Sequence, residues 1–167
     1  MLTVVILLSM LFCSGVHTKI YKNCELANEL VKKFGFSKDP GSLGNWICIA
    51  KHGSGFNTKA KEGPLLDGSY NYGIFQLNSK IWCGSSGSKN QCGIPCEALL
   101  NDDINNDVKC ALNVYKLKGF AGWLSWTNNC KNRDVSKYVI PCEMHRRTYL
   151  NSIIKLYKKK PLKINRI

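Results

Sequence analysis

Residues 92–110 read Cys92-Gly-Ile-Pro-Cys96-Glu-Ala-Leu99-Leu-Asn-Asp-Asp103-Ile104-Asn-Asn-Asp107-Val-Lys-Cys110, with three cysteines in nineteen residues. No C-x2-C pair is present here or elsewhere, and beyond residue 18 the only histidines are His52 and His145. A zinc site is therefore disfavoured and no metal ligand is assigned. The cysteines read instead as a disulfide framework in an exported chain. Downstream, Ile104, Val108, Ala111, Leu112 and Tyr115 recur at helical spacing, with Asp102 and Asp103 at the positive N-terminal end of that helix.

Moving outward, Leu26, Ala27, Leu30, Val31 and Phe34 mark an earlier helix that stops at Gly35. Trp46, Ile47, Ile49 and Ala50 mark a second helix running toward Gly53 and Gly55. Residues 66–79 (LDGSYNYGIFQLNS) favour a hairpin, with Asp67-Gly68 as its turn and Tyr70, Tyr72, Phe75 and Leu77 as strand formers. Leu117 to Trp126 reads as a further aromatic-rich helical stretch. Helices, a small hairpin and more helices make an α+β fold, and the cleft between its two parts is a natural ligand site.

The chain has 167 residues, 44% of them hydrophobic, which excludes wholesale disorder. Lys+Arg number 24 against 11 Asp+Glu, a net charge of +13. Residues 1–18 read as a secretory signal: the mainly apolar run Leu2–Phe12 is too short for a bilayer span of about 20 residues. Its n-region lacks Lys and Arg, and cleavage after Thr18 or after Gly15 would suit it. Removing it takes away Cys13 and leaves eight cysteines, an even number. No second long apolar run suggests a membrane anchor, and no N-x-S/T sequon is present.

Residues 19–142 hold the eight cysteines and a net charge of +6, whereas residues 143–167 form a cysteine-free basic extension of net +7. If that extension is helical, Tyr149, Leu150, Ile153, Ile154 and Tyr157 share one face. Arg146, Arg147, Lys155, Lys158, Lys159 and Lys160 lie around the rest, a pattern suited to anionic membrane surfaces. A solvated tail that aids solubility fits the same residues. Nothing in the chain matches a nucleic-acid-binding motif.

The spacing Cys92-x3-Cys96-x2-Leu99-x3-Asp103-Ile104-x5-Cys110 resembles the signature of C-type lysozymes and α-lactalbumins. The resemblance runs from residue 19 to 142 through CELANEL (24–30), SLGNWIC (42–48), FNTKA (56–60), DGSYNYGIFQLNSKIWC (67–83) and Trp123-x2-Trp126-x3-Cys130. It implies a helical lobe beside a small antiparallel lobe. It also implies the pairs Cys24–Cys142, Cys48–Cys130, Cys83–Cys96 and Cys92–Cys110, chosen from 105 possible pairings.

The same resemblance implies retaining glycoside hydrolysis, of which lysozyme itself is the type case: one carboxyl group protonates the leaving oxygen and a second attacks or stabilises the sugar cation. In this sequence the acid's position, after Ala50-Lys51-His52, is Gly53, and the residue before Tyr72-Gly73 is Asn71. Glycine has no proton to donate and a neutral amide is a poor nucleophile, so both catalytic positions read as degenerate. General acid catalysis alone contributes about 10²–10⁴-fold. His52 is adjacent but expected to point about 100° away on a helix, while Glu62 and Asp67 are the candidates for carboxylates relocated to the cleft rim.

By resemblance, Gln76, Asn78, Trp82, Gly122 and Trp123 are glycan-binding positions, whereas Trp46 and Trp126 read as core. Ile81, Gly55, Lys116 and Lys118 depart from the family's usual groove residues. The α-lactalbumin branch implies a calcium loop at 101–107. Asparagines fill two positions of that stretch where carboxylates are wanted, Asp107 is left as the main charged ligand, and helix capping accounts for the acids more simply.

The expectation is a secreted, monomeric, non-catalytic protein without cofactors. It would bind bacterial cell walls or N-acetylated glycans in antibacterial defence, with anionic membranes as targets of the tail. The alternatives are an active peptidoglycan muramidase with relocated carboxylates and an α-lactalbumin-like regulatory subunit.

Overall fold

The computed structural model describes residues 18–84 and 89–142, together with 150, 151, 153–155 and 158. Helix α1 (Asn23–Phe34) buries Leu26, Ala27 and Leu30 on one face and ends at Gly35, whose φ of 70° closes the helix. Helix α2 (Pro40–Ser54) starts with Pro40 after Asp39, whose carboxylate accepts the Ser42 N–H at 2.7 Å. Leu43, Trp46, Ile47, Cys48, Ile49 and Ala50 are all buried, so α2 is the central helix of its lobe. Helix α3 (Asn105–Lys118) and the short helix α4 (Leu124–Asn129) pack beside it, with single turns of 3-10 helix at Cys96–Leu99, Gly119–Gly122 and Ser136–Tyr138.

The small lobe is a three-stranded antiparallel sheet, β1 (Lys61–Glu62), β2 (Asn71–Tyr72) and β3 (Leu77–Asn78), in that spatial order. Four disulfides brace the fold: Cys24–Cys142, Cys48–Cys130, Cys83–Cys96 and Cys92–Cys110. The first closes a loop of 118 residues, which in the chain-entropy picture is worth roughly 4–5 kcal/mol.

Trp46 is the hub of the core. Its ring lies within 5.2 to 5.9 Å of the rings of Phe36, Phe120, Trp123 and Phe75 in edge-to-face contacts. Trp126 is only half-buried at the margin, stacked on Phe120 and donating its indole N–H to Asn45.

Three sequence expectations are corrected. Asp67-Gly68 does lie in a turn of the β1–β2 connection, but that hairpin starts at Lys61, outside residues 66–79, and Tyr70 and Phe75 fall outside the strands. The tight turn between β2 and β3 is Gly73–Gln76, where Gly73 (φ 73°) and Gln76 (φ 51°) reverse the chain and Phe75 is buried beneath it. The stretch 117–126 is not one helix. It breaks at Gly119–Gly122: Gly119 (φ 59°) ends the first helical segment, and a Cβ at Gly122 would stand 2.7 Å from Val114 Cγ1, so only glycine lets the chain pass that close.

The third correction is Asp107, expected as a helix-capping acid on a loop. It is fully buried, and its Oδ1 accepts the Ile74 N–H at 3.2 Å. The acid that serves the start of α3 is Asp103, which accepts the Asn105 N–H, while Asp102 receives the Thr58 hydroxyl and the Lys19 N–H.

Of the basic extension, residues 150, 151, 153–155 and 158 are helical, with Leu150, Ile154, Lys155 and Lys158 exposed. Arg146, Arg147, Tyr149, Tyr157, Lys159 and Lys160 lie outside the described residues, as do residues 1–17 of the expected signal. No described helix is long and apolar enough to cross a membrane.

Candidate functional site

A cleft of about 510 Å³ separates the two lobes. Its helical wall is made by His52 and Gly53 near the end of α2, by Gly122 and Trp123, and by one side of α4 (Leu124, Ser125, Asn128, Asn129). The opposite wall is the sheet: Glu62, Leu65, Asn71, Gln76, Leu77, Asn78 and, beyond β3, Trp82. All seven positions singled out in the sequence, Gly53, Asn71, Gln76, Asn78, Trp82, Gly122 and Trp123, line this one cleft.

Local structure places each of them. Asn71 and Asn78 are paired across β2 and β3, and Asn78 donates its amide to Asn71 Oδ1 at 3.0 Å and to the Ser69 hydroxyl at 2.9 Å. Gln76 donates to the carbonyls of Gly73 (2.9 Å) and Ala60 (3.3 Å), which spends its N–H groups on the turn and leaves its buried Oε1 without a partner. Trp123 donates its indole N–H to the Phe75 carbonyl at 2.9 Å, joining the cleft floor to the β2–β3 turn. Trp82 and Trp123 are each only 4% exposed, so they form the floor of the cleft rather than free stacking platforms. The Lys118 ammonium lies 5.6 Å from the Trp82 ring centre.

At Gly53 the backbone of α2 remains helical, and a Cβ there would meet only side chains: Gln76 Cγ at 3.3 Å and Ser125 Oγ at 3.7 Å. His52 was expected to face elsewhere, but it lines the rim, with Nε2 3.1 Å from the Tyr138 hydroxyl. Burial, then the charges of Lys51, Arg133 and Lys137, hold its pKa below the usual imidazole value.

The two acids considered for relocation separate. Glu62 lines the cleft, whereas Asp67 is not among its lining residues. Asp67 is held by the Ser69 hydroxyl and by Lys80 at 2.9 Å, and these bonds keep its carboxyl far below the usual carboxylate range.

Sequence reasoning missed Leu65, Leu124, Ser125, Asn128 and Asn129. The last four have helical spacing along 124–129, but no sequence signal separates their cleft face from a solvent face. Among the described residues no group of three or more His, Cys, Asp or Glu could hold a metal ion. Asp107 in particular is turned into the core rather than out toward the 101–107 loop.

The profile of the C-type lysozyme/alpha-lactalbumin family matches residues 19–142. Lysozyme C-1 of Rattus norvegicus is 44% identical over 138 residues, covering 80% of this chain and 93% of that protein. Lysozyme C, milk isozyme, of Canis lupus familiaris is 45% identical over 130 residues, covering 75% of this chain and all of that protein. Among solved structures, canine milk lysozyme superposes with a TM-score of 0.68 at 46% identity, over 75% of this chain and 99% of that one. A lysozyme from Litopenaeus vannamei gives a TM-score of 0.69 at 38% identity, over 75% and 98%.

Proposed function

This chain belongs to the C-type lysozyme/alpha-lactalbumin family, and from that premise we propose that it is a secreted, non-catalytic member. On this reading it binds bacterial surfaces or peptidoglycan-type glycans in antibacterial defence. The observation that carries the proposal is the pair Gly53 and Asn71, which line one cleft at the positions where the family resemblance calls for the two carboxyl groups. A backbone with no side chain and a neutral amide supply neither the proton donor nor the charged partner of retaining hydrolysis.

The rest of the cleft supports binding. Asn71, Asn78, Ser125, Asn128 and Asn129 offer uncharged hydrogen-bonding groups above a tryptophan floor, the usual chemistry of a neutral glycan groove. Residues 1–18 act as the export signal in this reading, and the basic extension adds attraction to anionic walls and membranes.

Binding to purified insoluble peptidoglycan and to intact bacteria, followed by sedimentation across a salt series, tests this. Capture is expected at low ionic strength, weakening several-fold toward physiological salt as the net charge of +13 is screened. Protein that stays in the supernatant at low salt, or capture indifferent to salt, would overturn the reading.

A further inference from the structure

The cleft differs in charge from the rest of the molecule. The chain carries 24 Lys+Arg, yet the cleft lining contains neither, and its single carboxylate is Glu62. Strand register explains how Glu62 comes to be there. Glu62 pairs with Asn71, and Asn71 with Asn78, so the three side chains form a row across all three strands on the face toward the cleft. Lys61, its neighbour in β1, alternates to the other face, where its ammonium sits 4.7 and 5.1 Å from the rings of Tyr70 and Tyr72.

The polarity of the row is set from the β3 end. The Lys80 backbone N–H donates to Asn78 Oδ1 at 2.9 Å, which makes the other arm of that amide the donor to Asn71 Oδ1. The Asn71 nitrogen is thereby left on the side toward β1. Beyond the backbone ladder, the Glu62 side chain takes part in no ion pair or hydrogen bond among the described residues. A carboxylate without a counter-ion among the described residues thus stands at one end of a row whose other two members are amides.

We propose that Glu62 makes this cleft selective for glycans that contain a hexosamine with a free ammonium group, in preference to fully N-acetylated ones. The inference rests on the cleft being a glycan site. An acetamido group presents one N–H and no charge; an ammonium presents three donors and a full positive charge, the match for an unpaired carboxylate. The molecule's overall positive charge opposes this only weakly, since salt screens exposed charges more than about 8 Å away at physiological ionic strength. At contact distance the local carboxylate decides.

The test is isothermal titration of the intact protein at mildly acidic pH and physiological salt. The probes are a fully N-acetylated glucosamine tetrasaccharide and the same tetrasaccharides carrying one free amine. At least one mono-amine form is expected to bind roughly three- to tenfold more tightly than the acetylated one. In Glu62→Gln that ratio should fall to about one, and in Glu62→Asp part of it should return. Each variant serves as its own control, because the ratio and not the affinity is read. Equal affinities in the parent protein, or a preference retained in Glu62→Gln, overturns the role of Glu62 while leaving the cleft reading intact. Failure of every tetrasaccharide to bind overturns the cleft reading, and this proposal with it.

Discussion

Gly53→Glu combined with Asn71→Asp is expected to convert this protein into a peptidoglycan hydrolase, with activity at least about 10²–10⁴-fold above the parent. The structure leaves room for both side chains. Gly53 lies within α2 with no left-handed backbone to strain, and exchange of a helical glycine gains about 0.5–1 kcal/mol of helix propensity. A Cβ at 53 would press on Gln76 Cγ at 3.3 Å, a contact that a side chain relieves by moving a few tenths of an ångström.

The new carboxyl group would enter a cleft whose floor is the buried Trp123, and an apolar surface of that kind raises a carboxyl pKa toward the range of a general acid. Asn71→Asp is nearly isosteric, and Asn78 already donates to the oxygen that would become the carboxylate. The single variants should fall well short of the double, since the two groups act as a unit. A folded double variant with no release of reducing ends would mean that the cleft has lost more than its acids.

Asp107→Asn should stabilise the protein at neutral pH while leaving it almost unchanged in acid. Asp107 is fully buried at the junction of α3 with the β2–β3 turn; Oδ1 accepts one backbone N–H and Oδ2 has no partner. A Cβ at Gly73 would collide with that carboxyl group, so the fold is built tightly around it. No cation pairs with it among the described residues, and the charged group nearest in effect is another acid, Asp103.

Burial therefore pushes its pKa up to about 8, from an unfolded value of 3.8. Between those limits the folded chain keeps a proton that the unfolded chain releases. The associated stability is complete below about pH 4 and drains away as pH rises toward 8, with little further loss beyond. At pH 7 the deficit is of the order of 4 kcal/mol. Thermal unfolding should place Asp107→Asn about 5–15 °C above the parent at pH 7 and close to it at pH 4. A variant less stable than the parent at pH 7 would show that the carboxylate is charged and paired in the fold.

The parts of this architecture that depend on periodicity were readable in the sequence: α1, α2 and α3 each carry an apolar stripe that only burial explains. The four disulfides were readable only through the family resemblance, because spacing alone leaves 105 pairings. Strand β1 left no signal, since Lys61 and Glu62 are two exposed charged residues whose strand character comes entirely from pairing with β2. For the same reason Glu62 could be suspected of reaching the cleft but not placed beside Asn71.

The inward turn of Asp107 was hidden as well. It depends on Gly73 lacking a Cβ, a tertiary contact between residues 34 positions apart. His52 defeats the 100° argument because the cleft rim is wide enough for two successive residues of α2 to border it.

The most direct test of the central claim is release of new reducing ends from purified peptidoglycan by the disulfide-intact protein, from acid to neutral pH. An active C-type lysozyme would run beside it at equal concentration. The absence of both carboxyl groups at Gly53 and Asn71 predicts release no greater than the enzyme-free blank at every pH. Turnover above that blank would contradict it and make Glu62 the first residue to replace.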